Sequence, residues 1–458
     1  MAHVRVVIGL ACLGSPSVGW LSSSPARGVP TRLRPLRVVS EPPLNTRSLE
    51  PTPDDSDNTV LEQPGVFRAT DDDETRLVAA VERGNFWELD RSPNASVPVH
   101  YSFVDGTKLR RTSAPASAPV VFLHGFGAGE FHFEGNMAAV AAATGRRCYG
   151  MDLVAQGRSW PRAREELAGL RVGADTWLTQ LEKFLEEVVG ERAVLAGNSL
   201  GGFLATVVAA RRPDLVAGLF LLNPTPFWGF VREESRLWDA RLPAPAGPRT
   251  LGALWFDALR DEKTVQRLLR QVYASPERCD DRLVRQILDA ARSSSFGPEA
   301  FTSILFSPAA PETFEDALQT AFFDHDVPVA LVFGREDPWV SPPWGQRAHR
   351  RLDRRAPYFE LSPTGHCPHH ESPLATNYLL CDWLETMPTL ASDDATAVLD
   401  VRPNSGSSST SDLWRPATSP TDRRVVVIRE DDGRDVTIAR VDGAPRNLVE
   451  RAALAVWG

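Results

Sequence analysis

The sequence predicts an α/β fold: a mainly parallel sheet with helices on both faces, interrupted after its first half by a helical cap. Three observations carry this. Short apolar runs suited to buried strands alternate with helical spacing from about residue 86 to 386. Within that alternation, Gly197-Asn198-Ser199-Leu200-Gly201 joins the apolar run 192–196 to the helix-compatible stretch 202–210, giving strand, sharp turn and helix in succession. Between Asn223 and Asp326, by contrast, no strand pattern occurs and helical spacing takes over.

Taken in order, the folded region opens near Asn85-Phe86-Trp87-Glu88-Leu89. Residues 97–104 alternate like a second strand and stop at the turn signal Asp105-Gly106. Residues 119–123 read as a buried strand, followed by the Gly-rich loop 124–129. Residues 147–151 form the next strand and run into Asp152-Leu153-Val154-Ala155-Gln156-Gly157-Arg158-Ser159. Residues 174–189 are helical, because Trp177, Leu181, Phe184, Leu185 and Val188 recur at three- and four-residue steps. Beyond the elbow strand come strands at 218–222, 327–333 and 357–361, the last taken as the final core strand, and a closing helix at 373–386. Helical spacing inside the insert falls at 263–273 (Val265, Leu268, Leu269, Val272) and 281–292 (Leu283, Val284, Ile287, Leu288, Ala291). The core is therefore expected at 76–223 and 327–388, with the cap at 224–326.

The two ends differ from this core. No acidic residue precedes Glu41; a short apolar region, 6–14, follows Arg5, and a Ser-rich, Arg-rich stretch comes next. Residues 1–75 thus read as a targeting presequence and linker, and a signal segment followed by a transit segment resembles the two-part leaders of algal plastids. The apolar region is too short to span a membrane. At the other end, 389–424 reads as a flexible linker containing the Ser/Gly/Thr tract 404–411. Residues 425–458 read as a small extension: a hairpin of 425–428 and 436–439 around Asp432-Gly433, then a helix over 445–457. This extension is expected to be separable from catalysis.

Composition narrows the function classes. A hydrophobic content of 42% supports a packed core, and a formal charge of −9 argues against a nucleic-acid partner. Five scattered cysteines give neither a disulfide framework nor a zinc site. Asn94-Ala95-Ser96 matches a glycosylation sequon, but nothing else favours a secreted protein. His366, His369 and His370 lie close together without a metal-ligand spacing, so neither metal nor cofactor is expected.

Chemistry centres on Ser199, which in this setting is a nucleophile awaiting a base and an orienting acid. The base should follow the last core strand, where Ser362-Pro363-Thr364-Gly365-His366 places His366. The acid should follow the strand before it, where Asp337 stands, with Glu336 as rival; Asp324 and Asp326 precede that strand instead. The chain order Ser199, Asp337, His366 is the order of α/β-hydrolases. An acyl-transfer site also needs oxyanion donors: the N–H of Leu200, after the nucleophile, and that of Phe126 in the Gly-rich loop. Aromatic side chains opening the insert, Phe227, Trp228 and Phe230, and Trp339 beside the acid are candidate substrate contacts. Trp238, Trp255 and Phe256 follow in the same insert, and the aromatics of the insert can equally be cap core.

Several stretches resemble the pheophytinase family of α/β-hydrolases: HGFGAGEFHFE at 124–134, GNSLGGF at 197–203, LLNPTPFWGF at 221–230, FGREDPWV at 333–340 and SPTGHCPHHESP at 362–373. The elbow and Gly-His are shared widely, whereas the NPTPFWGF, EDPWV and GHCPH contexts are specific. The resemblance covers roughly 86–385 and implies a plastid enzyme that removes phytol from magnesium-free chlorophyll, pheophytin plus water giving pheophorbide and phytol. Its nucleophile, acid and base fall on Ser199, Asp337 and His366. His370 departs from the family, which tends to have an acidic residue there, and the C-terminal extension has no counterpart in it. The expected partner is a hydrophobic, pheophytin-like ester, with no transmembrane segment and peripheral contact with thylakoids left open. The alternatives are a general carboxylesterase or lipase acting on another hydrophobic ester, and a catalytically silent binding protein on the same scaffold.

Overall fold

The structure is a computed structural model describing residues 79–92, 95–109, 117–229, 238–387 and 425–441. The leader 1–75, the sequon residue Asn94, Phe230, the linker 389–424 and the helix read over 445–457 lie outside these described residues.

Among the described residues, ten strands form one sheet: β1 (Glu82–Ser92), β2 (Ala95–Asp105), β3 (Val120–Leu123), β4 (Arg147–Met151), β5 (Ala193–Asn198), β6 (Val216–Leu222), β7 (Val329–Gly334), β8 (Tyr358–Ser362), β9 (Val425–Arg429) and β10 (Asp435–Arg440). Their order across the sheet is β1-β2-β4-β3-β5-β6-β7-β8-β10-β9. Strands β4, β3, β5, β6, β7 and β8 run parallel, while β1, β2, β9 and β10 make the antiparallel margins.

The central strands read as continuous apolar runs because helices cover both of their faces. Alternate residues divide the core in two. Val121, Leu123, Leu195, Leu219, Leu331 and Phe333 point to one side. There they meet α2 (Ala174–Phe184), through Trp177 and Leu181, and α3 (Leu200–Arg211), through Phe203 and Leu204. Val120, Phe122, Val194, Phe220, Val332 and Phe359 point to the other side. They meet Met137 of α1 (Glu134–Thr144) and Leu379 and Trp383 of α10 (Pro373–Thr386). Each such fully buried Leu, Val or Phe contributes about 1.5–3 kcal/mol, so the two layers hold the parallel strands flush and their carboxyl ends together.

The insert above those ends consists of α4 (Ala246–Leu259), α5 (Glu262–Val272), α6 (Asp281–Arg292) and α7 (Gly297–Phe306). Asp261 and Asp280 cap α5 and α6, accepting from the N–H groups of Thr264 and Leu283 at 2.9 and 2.8 Å. Val265, Val284 and Leu288 pack these two helices on each other. The next helix, α8 (Phe314–Gln319), behaves differently: it lies against α3 and α9 (Pro342–Arg351), in the layer over the sheet. The cap boundary expected at 326 therefore overshoots, since helical spacing alone does not distinguish a cap helix from one that covers strands.

The C-terminal extension also departs from expectation. The hairpin forms where Asp432-Gly433 predicts it, with Gly433 at φ +83°. It is not separate: β10 pairs antiparallel with β8, so the last parallel strand, Tyr358–Ser362, is not the edge of the sheet. Val426, Ile428, Val436 and Ile438 are buried against the core face that holds α10. Among the described residues, no helix is long and apolar enough to cross a membrane.

Candidate active site

β5 ends at Asn198 and α3 begins at Leu200, so Ser199 is the hinge between them. Its φ of +51° and ψ of −116° are a strained backbone state for a residue with a Cβ. The flanking glycines make the turn fit. A Cβ on Gly197 would lie 2.6 Å from Gly201, and one on Gly201 would lie 2.2 Å from the Leu123 carbonyl oxygen. The Ser199 N–H donates to the Leu222 carbonyl at 3.0 Å, and its own carbonyl accepts from the N–H groups of Phe203 and Thr225, each at 3.1 Å. Ser199 is half-buried, and its hydroxyl makes no hydrogen bond among the described residues.

Asp337 follows β7 and His366 follows β8, so both stand at the carboxyl ends of the parallel strands, as Ser199 does. His366 Nδ1 lies 2.6 Å from Asp337 Oδ2, with both side chains buried. A carboxylate there holds the proton on Nδ1 and leaves Nε2 as the basic nitrogen. The remaining lone pairs of Asp337 are occupied. Oδ1 accepts from the N–H groups of Trp339 (2.7 Å) and Val340 (3.1 Å), and Oδ2 also accepts from Asn223 Nδ2 (2.7 Å). The rival Glu336 is engaged elsewhere, accepting from Ser362 Oγ at 2.6 Å and from the Thr364 N–H at 2.8 Å. Asp324 and Asp326 are exposed before β7, at the strand's opposite end.

Two contacts hold the His366 loop between the elbow and the cap. Asn198 Nδ2 donates to the carbonyls of His366 (2.9 Å) and Leu222 (3.0 Å). The His366 N–H donates to the carbonyl of Val272, the last residue of α5, at 2.8 Å. The approach is close enough that a Cβ on Gly365 would sit 2.1 Å from that oxygen.

The loop after β3 is braced from beneath. His124 Nδ1 donates to the Gly125 carbonyl at 2.8 Å, and Nε2 accepts from the Leu153 N–H at 3.0 Å. Burial lowers the pKa of His124, consistent with that neutral arrangement. Gln156 Oε1 accepts from the Gly127 N–H at 2.7 Å, and Asp152 Oδ1 accepts from the Glu130 N–H at 2.6 Å. Gly125 faces the elbow: a Cβ there would meet Ser199 Cβ at 3.2 Å. With this bracing, the N–H groups of Phe126 and Leu200 have no protein acceptor among the described residues. Leu200 opens a helix, whose first N–H has no intrahelical partner. Two such donors flanking a nucleophile can receive a developing oxyanion.

The aromatic candidates divide. Trp228 packs between Phe126 (5.1 Å) and Trp177 (5.6 Å), which ties the start of the insert to the loop beside Ser199. Trp339 lies 5.5 Å from the His366 ring. Phe126 and Phe227 are 40% and 46% exposed, large apolar surfaces left uncovered at this end of the molecule. Phe256, in contrast, is buried against Phe301, and Trp238 packs on Phe306. Those two are insert core, and the sequence pattern does not separate them from surface aromatics.

His369 and His370 turn away from His366. Tyr273 of the insert stands between His132 Nε2 (2.8 Å) and His370 Nδ1 (3.1 Å), and His369 Nε2 lies 3.2 Å from His132 Nδ1. Burial drives His132 and His369 well below the usual imidazole range and pushes His370 down to about 4. This is a neutral cluster joining insert to core. Asn198, Asn223 and Glu371 are site residues that the motifs did not point out. Asn223 has one legible signal, its place just after the apolar run 218–222; in the structure it follows β6 at φ +42°, where asparagine is tolerated. That signal does not say which carboxylate its side chain will reach.

Comparison with known proteins places the chain in a family. Residues 120–377 match the alpha/beta hydrolase family. The chain is 34% identical over 320 residues to "Pheophytinase, chloroplastic" of Arabidopsis thaliana, covering 63% of this chain and 64% of that protein, less than two thirds of its length. It is 26% identical over 292 residues to a human "(Lyso)-N-acylphosphatidylethanolamine lipase", covering 58% of this chain and 79% of the relative. It is 28% identical over 251 residues to a "Pimeloyl-[acyl-carrier protein] methyl ester esterase" of Neisseria meningitidis, covering 53% and 69%. Since the family match spans more than half of the sequence and includes the elbow and both strand ends that carry Asp337 and His366, this chain belongs to the alpha/beta hydrolase family.

Proposed function

We propose that the protein is a serine esterase that hydrolyses the phytyl ester of pheophytin in a plastid. The observation that carries the reading is the 2.6 Å contact between His366 Nδ1 and Asp337 Oδ2 at the sheet end where Ser199 forms the elbow. His366 Nε2 takes the Ser199 proton as Oγ attacks the ester carbonyl. The N–H groups of Phe126 and Leu200 receive the oxyanion. His366 then protonates the departing alcohol, and water, activated in the same way, releases the acid from the acyl-enzyme. No step calls on a metal or cofactor.

Substrate class rests on the 34% identity to a protein named pheophytinase and on the aromatic surfaces of Phe126, Phe227, Trp228 and Trp339, which suit a flat tetrapyrrole or an isoprenoid chain. Phe230 belongs to the same candidate set. A second reading, an esterase for another hydrophobic ester, is favoured by the relatives named as a lipase and a methyl ester esterase. Competitive turnover separates the two. Pheophytin should be consumed ahead of chlorophyll, phospholipid and p-nitrophenyl esters, whereas preferential cleavage of the simple esters assigns the second. The plastid location rests on the acid-free leader and on the relative named chloroplastic. Residues 1–75 fused to a fluorescent reporter should direct it to plastids in an algal host, and a uniform cytosolic signal would reject the leader reading.

A further inference from the structure

We propose that the C-terminal hairpin is part of the catalytic apparatus, with Arg434 as a positioning residue that holds the His366 loop and the insert in register. The proposal rests on the serine-esterase reading above.

The hairpin meets the His366 loop in two ways. Along the backbone, β10 pairs with β8 in the register Thr437 to Ser362 and Ile438 to Leu361, so it braces the strand that leads directly into 363–366. At its turn, Arg434 reaches two separate parts of the molecule. One terminal nitrogen donates to Ser275 Oγ and the other to the Glu371 carbonyl, both at 2.6 Å. Its Nε donates to Asp432 at 2.8 Å, which orients the guanidinium, and Asp432 also accepts from Arg278 of the insert at 2.7 Å. Glu430, at the other side of the turn, accepts from the N–H groups of Leu374 and Ala375 at 3.0 and 2.9 Å and so caps α10.

Ser275 and Glu371 are the two ends of a clamp on His366. Glu371 is fully buried. One of its carboxylate oxygens accepts from the Ser275 N–H at 2.6 Å, and the other accepts from the Gly365 N–H, immediately before His366, at 2.7 Å. Insert, carboxylate and histidine loop are thus linked in a chain of charge-assisted hydrogen bonds, and Arg434 ties both ends of it to the hairpin. Burial pushes the Glu371 carboxyl up to about 7, while the Gly365 and Ser275 N–H groups and the nearby Arg434 charge oppose that rise. Arg434 therefore both fixes the partners and favours the ionised form of Glu371, the stronger acceptor for both N–H groups.

Displacing a catalytic group by about 1 Å can cost a hundredfold in rate, so loss of this tie should appear in the chemical step. The test uses the full-length chain and a fluorophosphonate probe, which labels an activated serine whatever ester is the natural substrate. If the unmodified chain is not labelled at Ser199, the esterase reading fails; every other outcome concerns the hairpin. Arg434→Met should lower the maximal labelling rate by about tenfold or more with the probe's apparent affinity unchanged. Arg434→Lys, which keeps the charge and some donors, should recover part of that loss. A folded Arg434→Met chain labelled at the native rate overturns the proposal, as does a loss confined to probe affinity. If Arg434→Met does not fold, Ser275→Ala removes the hydroxyl that Arg434 and the Glu371 carboxylate share, while the Ser275 N–H stays on Glu371. A drop of several-fold in its maximal labelling rate supports the proposal, and a native rate overturns it.

Discussion

Asn223 Nδ2 and His366 Nδ1 donate to the same oxygen, Asp337 Oδ2, at 2.7 and 2.6 Å. The asparagine directly follows β6, and its Oδ1 accepts from the Gly334 N–H at 2.9 Å, at the end of β7. One side chain therefore links two strand ends to the carboxylate that orients the base. In Asp337→Asn the amide keeps an oxygen for the Trp339 and Val340 N–H groups but turns an NH2 toward two donors. His366 is then driven into the wrong tautomer. We expect kcat to fall by about four orders of magnitude. Glu336→Gln should cost far less, because Glu336 holds Ser362 and Thr364 and does not touch His366. Comparing the kcat of the two variants checks the assignment of the acid.

The elbow makes a steric prediction. Gly201→Ala places a methyl group 2.2 Å from the backbone oxygen of Leu123 in β3. Backbone cannot yield as a flexible side chain would, so a destabilisation of about 3–5 kcal/mol is expected. Thermal melting and soluble yield report it. Ser199→Ala, in contrast, should keep the native melting temperature while kcat drops by about three to six orders of magnitude.

Glu430 predicts a pH dependence of stability. Burial pushes its carboxyl up to about 7, against the Leu374 and Ala375 N–H groups that favour ionisation. Between about pH 4.5 and 7 the folded state binds more protons at this site than the unfolded chain does. Its contribution to stability therefore falls as pH rises through that window. Glu430→Gln removes this titration. The melting temperature of the variant relative to the native chain should rise between pH 5 and 8, an effect on the order of a few kcal/mol. A constant offset across that range would contradict the assignment.

Truncation after Pro388 tests the sheet margin. Removing β9 and β10 uncovers the β8 edge and the core surface beneath Val426, Ile428, Val436 and Ile438. Exposed strand edges and apolar surface promote aggregation. The truncated chain should melt lower and aggregate, which light scattering during a thermal ramp will show. A truncated chain as stable as the native one would restore the separable extension inferred from the linker composition.

Local patterns in the chain determined the strand and helix alternation, the hairpin at Asp432-Gly433 and the positions of Ser199, Asp337 and His366 after β5, β7 and β8. These are legible because each depends on neighbours in sequence: apolar periodicity, glycine where the turn is tight, polar residues just past a strand. Tertiary structure alone decided that Asp337, not Glu336, faces His366, since adjacent carboxylates differ only in direction. It alone joined Asn223 to Asp337, and Arg434 to Ser275 and Glu371, across separations of 114, 159 and 63 residues. It also decided that α8 covers the sheet while α5 and α6 cap it, although all three are amphipathic. Such contacts depend on which surfaces the folded sheet brings together, and a separable-looking linker or a helical period carries no record of that.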